Sequence, residues 1–234
     1  MNGSQQLADW IRAGETRVLC GRRIFVHTAV TPGRPPLLLI HGYPTASYDW
    51  VRIWPRLATR HSLYALDLLG FGLSDKPRGS RYPIEQQADF CMALLGEFDV
   101  GEVHVLAHDY GDTVAQELLA RHAEGRLKVA SMAFLNGGLF PETHRARPIQ
   151  KLLATPVLGP LLARAMNYEK FAAAMLSISG RHPPSREELQ DLWLLAERNG
   201  GRLALARLIS YMEQRRRHRS RWVGALVESS VPRR

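Results

Sequence analysis

The period of apolar and polar positions changes repeatedly along the chain. "TRVLCGRRIFVHTAV" (16–30) carries two β-forming stretches around a Gly-Arg turn and predicts a β-hairpin. "PPLLLI" (35–40) is a short continuous apolar run, the pattern of a strand buried on both faces. After the turn "HGYPTASYDW" the spacing predicts a helix over about 47–59. "HSLYALDL" (61–68) predicts another strand, and "LGFGLSDKP" a glycine-rich loop. "IEQQADFCMALLGEF" (84–98) places Ile84, Ala88, Cys91, Met92 and Leu95 on one helix face. A strand, "VHVLAH" (103–108), precedes a helix over 111–123 with Val114, Ala115, Leu118 and Leu119 on one side. "LKVASMAFLN" (127–136) predicts a sixth strand.

Strands alternating with helices imply βαβ units and a mostly parallel sheet with right-handed crossovers. From about 140 to 222 the alternation stops. That stretch is rich in Leu and Ala, is broken by "GP", "GRHPPS" and "NGG", and reads as a helical cap. The expected organisation is an α/β core over 1–139, a cap over 140–222, and a remnant over 223–234 leading toward a seventh strand. At 234 residues and 45% apolar content, the chain suits one large globular domain.

Charge and cysteine content alter this picture little. The net charge is +9, from 27 Arg against 4 Lys, and part of the excess lies in "QRRRHRSRW" (214–222). No nucleic-acid motif accompanies it, so a solvated helix face is expected and no nucleic-acid partner. Cys20 and Cys91 stand far apart, in no metal spacing, and the N-terminal stretch has no apolar core. A reduced, cytoplasmic chain is expected. "LLATPVLGPLLARAM" (152–166) is too short and too broken to span a bilayer. The histidines are scattered and "LGFGLSDKP" lacks the Gly-Lys-Ser/Thr ending, so neither a metal nor a nucleotide cofactor is expected.

The candidate chemistry centres on Ala107-His108-Asp109-Tyr110-Gly111. A strand gives way to a helix through a sharp turn whose crowded flanks admit only small side chains. A turn of this kind presents a nucleophile, and here the apex is Asp109, where Ser is the common residue. An ionised Asp attacks electrophilic sp3 carbon and gives an ester. The helix N-terminus behind it favours negative charge. "LLLIHGYP" brings a second turn, whose Tyr43 N–H would join the Tyr110 N–H in an oxyanion hole. His41 in that turn reads as a residue that supports the loop by hydrogen bonds.

"LLLIHGYPTASYDW", "ALDLLGFGLSDKP" and "LAHDYGDTVAQELLAR" together resemble the α/β-hydrolase superfamily, in the branch of epoxide hydrolases and haloalkane dehalogenases. "FLNGGLFPETHR" and "YMEQRRRHRSRWVGAL" resemble the mesoderm-specific transcript protein family, and that likeness covers about residues 8–226. The resemblance implies an α/β-hydrolase fold, a mostly parallel sheet with a helical cap, and a small-molecule substrate. It implies Asp109 as nucleophile, and Tyr43 and Tyr110 as oxyanion-hole positions. In epoxide hydrolases two cap tyrosines polarise the epoxide; Tyr168 and Tyr211 are the cap tyrosines here. Related dehalogenases carry Asn and Trp where this chain has Tyr43 and Tyr110, which places halide release behind epoxide opening. Asn136 stands where some relatives place an acid.

The ester must then be cleared by water, with a histidine base that the resemblance puts after the cap. After position 108 the histidines are His122, His144, His182 and His218, and none lies on a strand-end loop beyond the cap. The expectation is a C-terminally truncated sheet lacking its last two strands, a bare edge along 127–136, a solvated His218, and impaired turnover. The alternatives are a non-catalytic binding protein of the same fold and a haloalkane dehalogenase-like hydrolase. A Ser-type esterase is disfavoured because no Ser occupies the elbow.

Overall fold

The structure is a computed structural model describing residues 3–143, 148–153, 155 and 158–234. Ser4 caps the first helix, α1 (Gln5–Ala13), by accepting the Leu7 N–H at 3.0 Å. The hairpin strands are β1 (Glu15–Leu19) and β2 (Arg22–Ala29). With β3 (Pro36–Ile40), β4 (Ser62–Leu66), β5 (Val103–His108) and β6 (Val129–Leu135) they form one six-stranded sheet, in the order β1-β2-β4-β3-β5-β6. β1 and β2 pair antiparallel, as do β2 and β4, whereas β4, β3, β5 and β6 run parallel. α2 (Trp54–Ala58), α3 (Ile84–Glu97) and α4 (Tyr110–Ala123) are the crossover helices. Burial on both faces accounts for the continuous apolar runs of β3 and β4, where Leu38, Leu39, Leu63 and Leu66 are fully buried.

The order of the parallel strands decides where a site can form. From β3 the chain winds one way to β4, and from β5 it winds the other way to β6. The carboxyl ends of β3 and β5 therefore border a crevice, the switch point at which ligands bind in open α/β sheets.

The helix expected over 47–59 is two elements, a 3-10 turn (Ser47–Trp50) and α2. Pro55 in the first turn of α2 has no N–H to give to Val51, so a single helix cannot run through. Beyond β6 come α5 (Pro148–Leu153), α6 (Leu158–Arg164), α7 (Tyr168–Ile178), α8 (Arg186–Glu197), α9 (Gly201–Leu208) and α10 (Tyr211–Arg217). The last helix, α11 (Arg219–Glu228), packs along α4. His144 lies outside the described residues. Among the described residues no helix is long and apolar enough to cross a membrane.

Two expectations are corrected. The edge of β6 is not bare: Met132 N–H donates to Pro232 O at 2.9 Å, and Phe134 N–H donates to Arg234 O at 3.0 Å, so the final residues run beside it. The basic stretch is a solvated face only in part: Arg216, Arg217 and Arg219 are exposed, whereas Arg215 and Trp222 are buried and Arg221 is half-buried. Trp222 is buried and donates its Nε1–H to Glu117 at 2.8 Å, and Arg221 donates its Nε–H to the same carboxylate at 2.7 Å. Arg121 donates to Glu117 at 2.9 Å. His218 stacks on Trp222 at 5.0 Å between ring centroids, with Glu85 3.3 Å from its Nδ1.

Glu117, 1% exposed, thus ties α11 to α4. Burial alone would raise its pKa, but hydrogen bonds from Arg221, Trp222 and Arg121 outweigh burial and hold it below the ordinary value. Glu117→Ala leaves two arginines without their carboxylate and is expected to cost about 3–5 kcal/mol in urea unfolding. A depressed pKa stabilises the fold above the unfolded carboxylate value and ceases to do so in acid. The stability gap between wild type and Glu117→Gln should therefore narrow as pH falls below about 4.

Candidate functional site

The crevice between β3 and β5 is built around one backbone irregularity. Asp109 closes β5 and opens α4 with φ 51° and ψ −106°, a conformation that L-residues avoid. Its N–H donates to Leu135 O at 2.9 Å, which fixes the turn against the end of β6. Two residues on, Gly111 passes under the end of β3. A Cβ there would stand 2.5 Å from Ile40 O and 2.7 Å from His41 O, so only glycine lets α4 start this close to the sheet. The elbow lifts the Asp109 carboxylate clear of the sheet, at the head of a fourteen-residue helix.

The turn after β3 closes on that carboxylate. Tyr43 N–H donates to Asp109 Oδ1 at 3.0 Å. His41 is fully buried and bonded at both nitrogens: Leu68 N–H donates to Nε2 at 3.0 Å, and Nδ1 lies 2.9 Å from Gly42 O. These contacts make Nε2 the acceptor and Nδ1–H the donor, and burial lowers the His41 pKa. His41 therefore joins the 41–45 turn to the loop after β4. Asp67 secures that loop, accepting from Ser47 N–H at 2.8 Å and Leu73 N–H at 2.7 Å.

The four candidate tyrosines differ in placement. The Tyr110 ring is fully buried, 5.2 Å from Phe71, and its hydroxyl lies 3.5 Å from Gln87 Nε2, so only its backbone faces the elbow. Tyr43 Oη donates to Leu205 O at 3.4 Å. Tyr211, at the head of α10, is buried with its ring 5.0 Å from that of Tyr110. Burial, followed by the charge of Asp109, raises its phenol pKa, so it remains a proton donor. Tyr168 heads α7 and donates to Arg186 O at 3.4 Å, and neither it nor Tyr211 lines the cavity on which Asp109 opens.

That cavity measures about 470 Å³ and is bounded by the sheet end, the 43–53 segment, and the α7 and α8 side of the cap. Trp50, Ile53, Met175, Ile178 and Leu192 give it an apolar wall, and Asn136, at φ 57°, borders it. Among the described residues His108 and His182 are its imidazoles, and Asp49 is set beside His108. Neither His108 nor Asp49 was a sequence candidate. Both stand in the motifs already quoted, His108 beside the apex and Asp49 in "SYDW", but no local pattern links them. His122 is engaged elsewhere, accepting Val129 N–H at 3.1 Å. Among the described residues no group of His, Cys, Asp and Glu is arranged to hold a metal ion.

Behind the elbow, Asp112 is buried with its Oδ2 unbonded and Leu135 N–H 3.4 Å from Oδ1. Burial drives its pKa up to about 8. A raised carboxyl pKa means stability is full in acid and lost as pH rises through about 8. Asp112→Asn should therefore raise the melting temperature at pH 9 and leave it nearly unchanged at pH 4, as scanning calorimetry would read.

The α/β hydrolase fold family matches residues 35–178. The mesoderm-specific transcript protein of Mus musculus is 43% identical over 239 residues, covering 98% of this chain and 71% of that protein. Among solved structures, the epoxide hydrolase CorEH without ligand superposes with a TM-score of 0.77 at 19% identity, over 94% of this chain and 80% of that one. The haloalkane dehalogenase DbeA-M1 loop variant from Bradyrhizobium elkanii gives 0.77 at 23% identity, over 94% and 78%. Both structural likenesses are likenesses of fold. By sequence and by architecture, the chain belongs to the α/β hydrolase family, in the branch that includes the mesoderm-specific transcript proteins.

Proposed function

We propose that the chain is a hydrolase with an Asp nucleophile that opens small apolar epoxides, and that breakdown of the ester is its impaired, slow half. The observation that carries this reading is the strained Asp109, with one carboxylate oxygen held by Tyr43 N–H and the side chain bordering the apolar-walled cavity. Oδ2 of Asp109 attacks an epoxide carbon, the ring C–O bond breaks, and the ring oxygen takes a proton from the Tyr211 hydroxyl. Water then adds to the ester carbonyl, whose oxyanion faces the Tyr43 and Tyr110 N–H groups. The C–O bond to the product breaks, the diol leaves, and the proton released on restoring the carboxylate returns to the Tyr211 phenolate.

Epoxide opening is favoured over halide release by the placement of the tyrosines. Dehalogenases use side chains at the Tyr43 and Tyr110 positions to hold the halide. Here the Tyr110 ring is buried in the core and the Tyr43 hydroxyl is engaged by Leu205 O. The inward pairing of Arg221 on Glu117, with no nucleic-acid motif beside the basic stretch, supports a small-molecule substrate over a nucleic acid.

Incubation with styrene oxide followed by intact mass spectrometry should show one adduct, mapped to Asp109 by peptide sequencing and absent from Asp109→Asn. It should appear faster than free diol accumulates. A folded chain that never gains the adduct refutes the reading. Tyr211→Phe should slow adduct formation by about 10²-fold, the usual worth of a positioned acid. Tyr168→Phe should leave the rate unchanged, as stopped-time mass sampling would show.

A further inference from the structure

We propose that the start of α1 sets the width of the cavity on which Asp109 opens, and that Asp191 is the positioning residue through which it acts. Asp191 lies on α8, is 1% exposed, and does not itself line the cavity. Its carboxylate accepts from two other elements at once. Ser4 N–H donates to Oδ1 at 2.8 Å, Ser4 Oγ donates to Oδ2 at 2.5 Å, and the Tyr48 hydroxyl donates to Oδ2 at 3.0 Å. Ser4 is the N-cap of α1 and Tyr48 belongs to the 3-10 turn, so one buried side chain joins three elements. The approach is close: a Cβ added at Gly3 would stand 3.3 Å from Asp191 Oδ1.

Two of the joined elements are cavity wall. Tyr48, Trp50, Arg52 and Ile53 line it on one side, and Glu188 and Leu192 line it from α8. The same two sides meet again nearer the surface, where Arg52 donates Nε–H to Glu188 Oε1 at 2.5 Å and Nη2–H to Oε2. The ties form a two-rung ladder, Tyr48 to Asp191 and Arg52 to Glu188, and the rungs differ in strength. The Arg52 side chain is 53% exposed, so water and salt screen its ion pair. The Asp191 rung is buried, where hydrogen bonds to a carboxylate are strong and demand a set geometry.

Apolar contact also holds these elements, through Leu7, Trp10, Tyr48, Leu192 and Trp193. Such contact is non-directional and tolerates sliding. Further along, α1 and α8 part around a second cavity of about 490 Å³, bordered by Leu7, Ile11, Leu194 and Arg198. The directional hold of α1 on α8 is therefore at Ser4. The hydrogen bonds to Asp191 fix the register of α8 over the 3-10 turn, and with it the separation of the walls that face the nucleophile.

Loosening this tie should change which epoxides fit and leave the attack by Asp109 unaltered, an expectation that rests on the ester-forming reading above. Rates of adduct formation on the full chain are measured by intact mass over a range of concentrations, for styrene oxide and for the bulkier trans-stilbene oxide. The stilbene-to-styrene ratio of second-order constants should rise by about tenfold in Asp191→Ala, and less in Ser4→Ala and Tyr48→Phe. The saturating rate with styrene oxide should stay within about twofold of wild type. Asp191→Asn, which keeps one acceptor oxygen, should fall between wild type and Asp191→Ala. Sodium chloride at about 0.5 M, which screens the Arg52–Glu188 pair, should leave the ratio unchanged. Hydrogen exchange read by mass spectrometry supplies a measure independent of the ester. Ser4→Ala should speed exchange in 188–195 and in 48–53 together, although neither carries the substitution. Where Asp191→Ala does not fold, Ser4→Ala and Tyr48→Phe carry the test. Folded variants whose ratio stays at the wild-type value, or in which exchange quickens in α1 alone, overturn the inference. Absence of any adduct on the folded wild-type chain overturns the ester-forming reading, and the exchange of α8 in Ser4→Ala then decides this inference by itself.

Discussion

The geometry of the site depends on one close approach, the start of α4 under the end of β3. With no side chain, Gly111 allows the helix to begin against the Ile40 and His41 carbonyls. The chain can make that entry only by bending sharply at Asp109, at a cost on the order of 1–3 kcal/mol for a residue with positive φ. The surroundings fix it in place: β5 lies between β3 and β6, the Asp109 N–H is bonded to Leu135 O, and Val114, Ala115 and Leu118 are buried beneath. Every other feature of the crevice is measured from this bend. Tyr43 N–H reaches the carboxylate because the 41–45 turn is tied to the loop after β4 through His41 and Leu68.

The core was legible because its information is local. Four apolar residues in succession at 37–40 can only be a strand covered on both sides, and the small residues around Asp109 can only be a tight turn. The elbow and the turn beside it were legible for the same reason, since Asp109, Tyr43, Tyr110 and His41 sit in that turn and its neighbour. What escaped depends on pairing across long separations. Nothing in "QRRRHRSRW" shows that Arg221 and Trp222 will meet Glu117, over a hundred positions away, or that the stretch will turn inward. The pairing of His108 with Asp49 is of the same kind, two ordinary residues on separate elements whose relation exists only once β3 and β5 are neighbours. Tyr168 shows the converse. A cap tyrosine identified by residue type alone is placed beside the α7–α8 junction, and no local pattern distinguishes it from Tyr211.

The two buried carboxylates on α4, Asp112 and Glu117, lie just over one turn apart and take opposite states for one physical reason. Glu117 is met by three donors and stays charged, whereas Asp112 has one long backbone contact and is driven toward neutrality. The difference is useful near the elbow. A charged Asp112 three residues after Asp109 would repel the Asp109 carboxylate. A neutral one leaves Asp109 as the negative charge at the head of the helix, where the dipole favours it.

Arg215 completes the field. It is 3% exposed, its Nε and Nη2 are buried without hydrogen-bond partners among the described residues, and it lies within electrostatic reach of Asp109, Asp112 and Tyr211. An arginine does not relieve such burial by losing its proton, so its charge is balanced chiefly by whatever anion stands nearby. With Asp112 neutral, that anion is Asp109. On the reading proposed above, an ester on Asp109 would remove that anion and leave Arg215 without its counter-charge in a medium where Coulomb terms are stronger than in water. The same field that holds the free carboxylate ready therefore disfavours the ester. On the same reading, restoring the Asp109 anion would relieve that cation, so the electrostatics of the elbow favour breakdown of the ester.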